Sequence, residues 1–343
     1  MTILLVGAFA LLLAAPWLVH RFLEPVAGAR SLVWLNLGWL LTTGLLAAAT
    51  LALLSIRLMP NRVMRALGIP CTVGGGCGTA LPWWVQWGLW SVGLILLAGL
   101  LVIGTHSALS GTRALLKTRR AVLSAARTIA EESWQMGLLS DRLVVLDGPG
   151  TFAFTVGLFR PVMVLSTDLV HRLDTRELEA VVAHESAHAA GRDNLVLLMA
   201  RTIARSLWFL PGVGLAHRHL RRMVELAADS HARGKVGDGL VVASSLHRFA
   251  SLMSNRSLVN TKGANPVLAW FSEDGLIAER IDRLLDESDR VVSRFRVRLA
   301  FVVLAVVLLV FSLGTYRVAN VSLDPGAHAA VCSGSTHAPG IVS

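Results

Sequence analysis

The sequence contains a His-Glu-x-x-His segment, in which Glu185 follows His184 and a second histidine, His188, comes four positions after the first. Side chains four positions apart share one face of an α-helix, so both imidazoles can bind one metal ion. Zinc held in this way lowers the pKa of a bound water to ~7. The adjacent carboxylate can accept the proton of that water and deliver it to a leaving amine. The segment therefore predicts a water-activating zinc site, and its alternative is a pair of surface histidines.

A second pair of residues could complete this site. A catalytic zinc ion needs a third protein ligand and one open position. Glu225 and Asp229 also lie four positions apart, on a predicted helix further along the chain. We expect Glu225 to be the third ligand and Asp229 to accept a hydrogen bond from a ligand histidine, which fixes the tautomer of that ring. The alternative is a solvated acidic face, which is less expected in a stretch rich in Arg and His.

The elements around these residues follow from capping, turn and hydrophobic patterns. A helix is predicted over Thr175–Ala190, with Thr175 as its N-cap and Gly191 at its C-terminus. Three strands should precede this helix, at Asp141–Leu146, Phe152–Leu158 and Val162–Ser166. Further helices are predicted at Ser107–Met136, His217–Arg233, Leu240–Ser254 and Ser272–Glu287.

For two further parts of an enzyme site, the sequence allows more than one interpretation. Phe152–Val156 could be a sheet edge that binds a substrate as an added strand, or a plain core strand. A donor for the transition-state oxyanion could come from the basic residues before Glu225, which could equally form a basic face near lipid headgroups. These residues are His217, His219, Arg221 and Arg222.

The composition indicates a membrane protein. Only 16% of the 343 residues are charged and 54% are hydrophobic, whereas soluble proteins have about 25% charged residues. Four uncharged apolar segments are long enough, or nearly so, to cross a bilayer. They are Thr2–Val19, Val33–Ile56, Trp84–Thr105 and Leu299–Tyr316. The first could instead be a secretory signal, but it lacks a basic start.

The distribution of basic residues predicts the orientation of the chain. Four basic residues follow the third apolar segment and four precede the last one, so the region between them should be cytoplasmic. The predicted layout is three membrane helices within residues 1–106, a cytoplasmic zinc domain over 107–298, a fourth membrane helix at 299–316 and a short outer tail over 317–343. Cys71 and Cys77 would then lie outside, where a disulfide between them is permitted.

The net charge of +10 admits a second function class. A nucleic-acid-binding protein could have such a charge, but in a chain this apolar, basic residues that flank membrane helices are the simpler explanation. We therefore expect the lipid bilayer to be a partner and expect no direct binding of nucleic acid.

The chain resembles a known family, the BlaR/MecR-type integral-membrane zinc peptidases. The resemblance rests on Ala153–Asp168, on Glu177–Ala190 with Arg192-Asp193, on Glu225 with Asp229, and on Glu279–Leu285. It implies a membrane α-helical protein with an inserted α+β, zincin-like (gluzincin-like) metallopeptidase domain. It also implies Zn²⁺ as cofactor, a location in the bacterial inner membrane, and a protein or peptide substrate. That substrate could be a transcriptional repressor or the enzyme itself.

The chain departs from the antibiotic-sensing members of that family. Those members carry a large outer penicillin-binding domain, whereas only Arg317–Ser343 follows the last predicted span here. HtpX-like and CAAX-prenyl-protease-like membrane proteases share the zinc signature and are the nearest enzymatic alternative; an HtpX-like protein would serve in quality control of membrane proteins. Their layout would require Asn194–Phe209 to span the membrane. A receptor with a non-catalytic zinc site is a further alternative.

Overall fold

The computed structural model describes residues 28–60, 82–129, 143–147, 150–257 and 277–286, with a few scattered positions besides. Eight helices and three strands lie within these ranges. The helices are α1 (Ala29–Arg57), α2 (Trp83–Ile129), α3 (Thr167–Arg172), α4 (Thr175–Gly191), α5 (Asp193–Ser206), α6 (Pro211–Val236), α7 (Gly239–Ser257) and α8 (Ile277–Leu285). The strands are β1 (Leu143–Leu146), β2 (Ala153–Val156) and β3 (Val162–Ser166).

Two helices, α1 and α2, are long and apolar enough to cross a membrane, at Ala29–Ala52 and Trp83–Ser124. They contain the second and third predicted spans. The first and fourth predicted spans, the outer tail and the Cys71–Cys77 pair lie outside the described residues. Helix α2 is continuous over 47 residues, so the predicted span at Trp84–Thr105 and the predicted helix that starts at Ser107 are one element.

The chain divides into two compact units. The described part of the first unit comprises most of α1 and the first half of α2. Within this unit, the Gln86 side chain donates a hydrogen bond to the Met59 carbonyl at 3.3 Å. Gly93 gives Ser55 room for a close approach. Trp83 and Trp84, at the start of α2, are exposed.

The second unit contains the start of α1, the rest of α2, and all later described elements. Its sheet has the order β1-β3-β2, with β1 parallel and β2 antiparallel to the central strand. Successive strand residues point to opposite faces. Val164 and Val156 therefore pack with Val122 of α2, while Leu165 packs on the other face with Leu178 of α4. The sheet is thus covered by α2 on one face and by α4 on the other.

Helix α4 lies at the centre of the helical part of this unit. Small residues allow close packing between helices, and Ala180 and Ala183 of α4 pack with Ala232 of α6. The same cluster includes Val242 of α7 and Leu284 of α8. The prediction that α4 is followed by several helices is thereby fulfilled, and the short helix α3 was not predicted.

Both predicted ends of α4 need correction. The N-cap is Asp174 and not Thr175, because the Asp174 side chain accepts from the Glu177 N–H and the Glu177 side chain accepts from the Asp174 N–H in a capping box. At the other end, Gly191 is still helical and Arg192 adopts the left-handed conformation, with φ of 52°. Glycine at 191 is therefore not explained by helix termination.

Helix α5 covers most of the segment that the HtpX-like layout would place across the membrane. It has 14 residues, Asp193–Ser206, which corresponds to about 21 Å at 1.5 Å per residue. A hydrocarbon core is about 30 Å thick, so α5 is too short to span it.

Candidate metal centre

Helices α4 and α6 bring three potential metal ligands together. His184 and His188 lie one turn apart on α4, and Glu225 lies on α6. The Nε2 atoms of the two histidines are 3.1 Å apart. Glu225 Oε2 lies 3.6 Å from His184 Nε2, and Glu225 Oε1 lies 3.8 Å from His188 Nε2. The potential ligand atoms of the three residues all lie within 4.8 Å of one another.

This arrangement fits a zinc ion. Tetrahedral zinc with ligands at about 2.0–2.1 Å requires those ligands to be about 3.3 Å apart, and the measured separations bracket that value. Two imidazoles and one carboxylate are a common donor set for zinc in hydrolytic sites. Among the described residues, no fourth His, Cys, Asp or Glu joins this group. The three side chains are 13–17% exposed, so the site is partly open.

Both histidines are oriented by a carboxylate on the far side of the ring. Asp229 Oδ1 lies 3.0 Å from His184 Nδ1, the contact expected for Asp229. Asp193 Oδ2 lies 2.8 Å from His188 Nδ1. An Nδ1–H that donates to each carboxylate leaves each Nε2 lone pair directed at the space between the rings. The two imidazoles are therefore prepared to bind one cation.

Glu185 is held next to this pair by the sheet. It is 8% exposed, and the Thr155 hydroxyl of β2 donates to its Oε2 at 2.8 Å. Ala153 packs against the cluster that contains Leu178 of α4. Thr155 lies two positions later in β2, so its side chain points to the same face and towards α4. A buried carboxylate with a fixed donor beside two facing imidazoles can act as a general base.

Arg280 of α8 ties the two acidic residues of α6 together. Its Nε and Nη2 donate to the two oxygens of Asp229 at 2.7 and 2.8 Å, and its Nη1 lies 3.2 Å from Glu225 Oε2. Burial alone lowers the pKa of Arg280, but the hydrogen bond to Asp229 and the charge of Glu225 raise it. The hydrogen bond from Arg280 lowers the pKa of Asp229, and its charge helps to lower the pKa of Glu225.

The same charges determine protonation in the metal-free protein. Burial lowers the pKa of His184, but the hydrogen bond to Asp229 and the nearby carboxylate of Glu225 outweigh it and raise the pKa to about 10. Burial raises the pKa of Glu225, but the neighbouring His184 and the charge of Arg280 lower it well below its usual range. The electrostatic environment therefore favours a positive charge between these residues.

The outer edge of β2 is open over a short stretch. The Phe152 carbonyl accepts from the Ser166 N–H of β3, so the backbone groups of residues 153 and 155 point away from β3. Asn194 donates to the carbonyls of Thr155 and Gly157, at 2.8 and 3.3 Å. Within the described part of the chain, no residue bonds the outward-pointing groups of Ala153. A strand added here could pair over residues 153–155.

Sequence reasoning missed four residues of this site: Arg30, Thr155, Asp193 and Arg280. Thr155, Asp193 and Arg280 lie in segments that carry the family resemblance, and this is a signal for their importance. Nothing in the local pattern marks Arg30. Arg222, considered as an oxyanion donor, instead forms a bidentate ion pair with Glu279 of α8.

Comparison with known proteins adds a family relationship. The family model described as BlaR1 peptidase M56 matches residues 83–281, which is more than half of the chain. This match covers α2, the sheet, both ligand-bearing helices and most of α8.

The chain is also similar to curated proteases. It is 30% identical to the Protease HtpX of Vibrio atlanticus over 81 residues, which are 23% of this chain and 28% of that protein. It is 28% identical over 116 residues to a Protease HtpX homolog of Pyrobaculum aerophilum, covering 34% and 33% of the two chains. A homolog from Archaeoglobus fulgidus is 35% identical over 89 residues, covering 25% and 26%. The chain thus matches about a third or less of these relatives' length, and no solved structure matches it significantly.

Proposed function

The chain belongs to the BlaR1 peptidase M56 family, and on that premise we propose that it is a membrane-bound zinc endopeptidase with His184, His188 and Glu225 as its zinc ligands. The observation that carries this proposal is the spacing of the three ligand atoms around one point, with both Nδ1 atoms held by carboxylates. The domain around this site is proposed to be zincin-like, since a sheet edge lies beside the helix with both histidines.

Each residue has a distinct proposed role in peptide hydrolysis. Bound zinc would supply Lewis acidity and lower the pKa of a water to ~7. Glu185 accepts a proton from the attacking water and delivers it to the leaving amine. Thr155 holds the Glu185 carboxylate, Asp229 and Asp193 orient the two imidazoles, and Arg280 balances the charge of Glu225 and Asp229.

The open edge of β2 is proposed as the substrate-binding strand. An extended peptide would pair with the backbone groups of Ala153 and with the Thr155 N–H, and so run beside the helix that carries Glu185. Backbone pairing of this kind is tolerant of sequence, which suits a peptidase that binds an extended segment of a protein.

We propose that the peptidase domain, at 107–298, is cytoplasmic in a bacterial inner membrane protein that crosses the membrane several times. The basic residues after the third span support this orientation. The contact of Arg30 with Asp193 supports a location of the start of α1 on the same side as the site. As the family resemblance implies, we propose a regulatory role in which the substrate is a transcriptional repressor or the chain itself.

The curated relatives support a second candidate, quality control of membrane proteins by an HtpX-type protease. The two candidates differ in substrate. A regulatory protease should cut one folded cytoplasmic protein or itself, whereas a quality-control protease should cut many misfolded membrane proteins. Helix α5, with 14 residues, is shorter than the span of about 20 residues that the second layout would place there.

Glu185→Gln tests the proposed chemistry. The variant should keep one zinc per chain, measured by metal analysis of the purified full chain, and should lose cleavage of an unfolded probe such as casein. Proteomic comparison of cells with the unmodified protein and the variant should reveal substrates that accumulate. Cleavage at the unmodified rate would refute the role of Glu185. A fourth protein ligand at the metal would favour a non-catalytic receptor.

A further inference from the structure

The start of the first described apolar helix reaches the proposed zinc site. Arg30 is the second residue of α1, 163 positions before Asp193 in the sequence. Its Nη1 donates to Asp193 Oδ1 at 2.5 Å, and its Nη2 donates to the Ala187 carbonyl at 3.2 Å. Arg30 therefore contacts both the turn that precedes His188 and the carboxylate that holds the His188 ring.

Gly191 makes this contact sterically possible. A Cβ atom at position 191 would overlap the guanidinium of Arg30 and would also crowd Asp193. The backbone at 191 is ordinary helix, since the left-handed residue is Arg192. Glycine is therefore needed here for the space that it leaves and not for its backbone freedom. The helix with both histidines has a notch at its C-terminal end, and the Arg30 side chain fills it.

The Asp193 carboxylate needs this partner. The Asp193 side chain is 4% exposed, whereas Arg30 is 35% exposed. A buried carboxylate is costly unless it is paired and hydrogen-bonded. Oδ1 takes the bond from Arg30, and Oδ2 lies against His188 Nδ1. The two oxygens are thus divided between the arginine and the histidine, and the arginine fixes the direction of the second oxygen.

We propose that Arg30 is a positioning residue, which acts through Asp193 on His188 and makes the zinc site depend on docking of the N-terminal end of α1. This inference rests on the proposed function, because it assigns His188 as a zinc ligand. If that end of α1 withdraws, the Asp193 carboxylate loses its partner and the His188 ring loses its fixed orientation. Helix α1, which lies outside the family match at 83–281, thereby contributes a residue that positions a metal ligand.

A double-mutant cycle on zinc affinity tests the proposal. Full-length Arg30→Gln, Asp193→Asn and the double variant are titrated with zinc against a chelator. Loss of a partner that orients a ligand typically weakens metal binding about 10–100-fold, and we expect about tenfold for Arg30→Gln. The double variant should be no weaker than Asp193→Asn alone, because Arg30 acts through that carboxylate. Equal zinc affinity in Arg30→Gln, or additive losses in the double variant, would overturn the proposal.

Two matched variants separate this role from a general effect of charge or folding. Arg176, an exposed arginine on α4 whose Nη2 lies 3.8 Å from Asp238, is changed to Gln and should keep its zinc affinity. Arg30→Lys keeps the charge and the aliphatic stem but lacks the forked geometry, and it should recover part of the affinity. If Arg30→Gln does not fold, the cycle is run with Arg30→Lys, which should lose less zinc affinity than Asp193→Asn and add no loss to it in the double variant; equal affinity or additive losses would again overturn the proposal.

The readout distinguishes this inference from the proposed function. Zinc affinity is measured without any substrate, so a chain that binds zinc but cleaves nothing still tests Arg30. The absorption of the Co²⁺-substituted protein adds a spectroscopic check, since a reoriented His188 should change the ligand-field bands in Arg30→Gln. Identical spectra together with equal affinity would show that Arg30 only stabilises the fold.

Discussion

The hydroxyl of Thr155, on the edge strand, lies 2.8 Å from Glu185 Oε2 and 3.0 Å from the Glu185 carbonyl oxygen. One side chain of the sheet therefore touches both the carboxylate and the backbone of the proposed general base. Because β2 also offers the open edge, the strand that would bind a substrate is also the strand that holds the base.

Thr155→Val should slow hydrolysis without loss of zinc. Valine has nearly the same shape but cannot donate to the Glu185 carboxylate. One hydrogen bond of about 1.4 kcal/mol corresponds to about tenfold in rate. We expect kcat to fall by about that factor in a casein cleavage assay. Thr155→Ser, which keeps the hydroxyl, should stay close to the unmodified rate. A large loss of zinc in Thr155→Val would contradict this account.

The outward groups of β2 can be tested by proline substitution. Ala153→Pro removes an N–H that points away from β3, so it should raise KM for an extended peptide while leaving kcat and the fold largely intact. Phe154→Pro removes an N–H directed at β3 and should destabilise the protein. Thermal unfolding and steady-state kinetics on one peptide separate the two effects. Unchanged KM in a folded Ala153→Pro variant would exclude this edge as the binding strand.

Zinc binding should release a proton near pH 7. The pKa of His184 is about 10 in the metal-free protein, so the ring is protonated and must lose a proton to bind zinc through Nε2. Apparent zinc affinity should therefore rise about tenfold per pH unit below that pKa. Calorimetry in buffers of different ionisation enthalpy measures the proton count. Asp229→Asn removes a cause of the raised pKa and should release fewer protons.

The raised pKa of His184 also determines how the stability of the metal-free protein depends on pH. Because the pKa of His184 is higher in the folded protein than its ordinary value of 6.5, protonation of this ring stabilises the metal-free protein fully below pH 6.5. This stabilisation is lost as the pH rises towards 10. The zinc-free protein should therefore unfold at a lower temperature at pH 9 than at pH 7. The zinc-loaded protein should lack this contribution, since His184 is then unprotonated at both pH values.

Arg280→Gln should destabilise the metal-free protein strongly. The variant leaves Asp229 and Glu225, 5% and 17% exposed, without their shared cation. Removal of one partner of a buried ion pair costs about 3–5 kcal/mol. Saturating zinc should reduce the loss, because it restores positive charge beside Glu225. Arg283→Gln breaks a more exposed pair with Glu279 and should cost less than about 1 kcal/mol. Chemical unfolding with and without zinc provides the comparison.

Local patterns predicted the elements of this protein better than the contacts between them. The strand Val162–Ser166 was placed correctly because a short apolar run before a capped helix is a local signal. The rule that residues four apart share a helix face placed His184 with His188 and Glu225 with Asp229, and the structure brings the first three together. Their roles as ligands stay a prediction.

The remaining contacts join residues that no periodicity relates. Thr155 lies 30 positions from Glu185, Arg280 lies 51 positions from Asp229, and Arg30 lies farther still from Asp193. Gly191 shows how a local rule can fail. Glycine after a helix predicts a left-handed cap, but here the absence of a side chain makes room for a residue from another helix. Only tertiary structure reveals that reason.

The position of Arg280 also has a consequence for synthesis of the protein. Among the described elements, helix α8, which carries Arg280, is the last that reaches the site, so the chain is translated past both histidines and Glu225 well before that arginine emerges. Until then Glu225 and Asp229 lack the cation that holds them. We therefore expect the candidate site of a ribosome-bound chain to stay incomplete until Arg280 has left the ribosome.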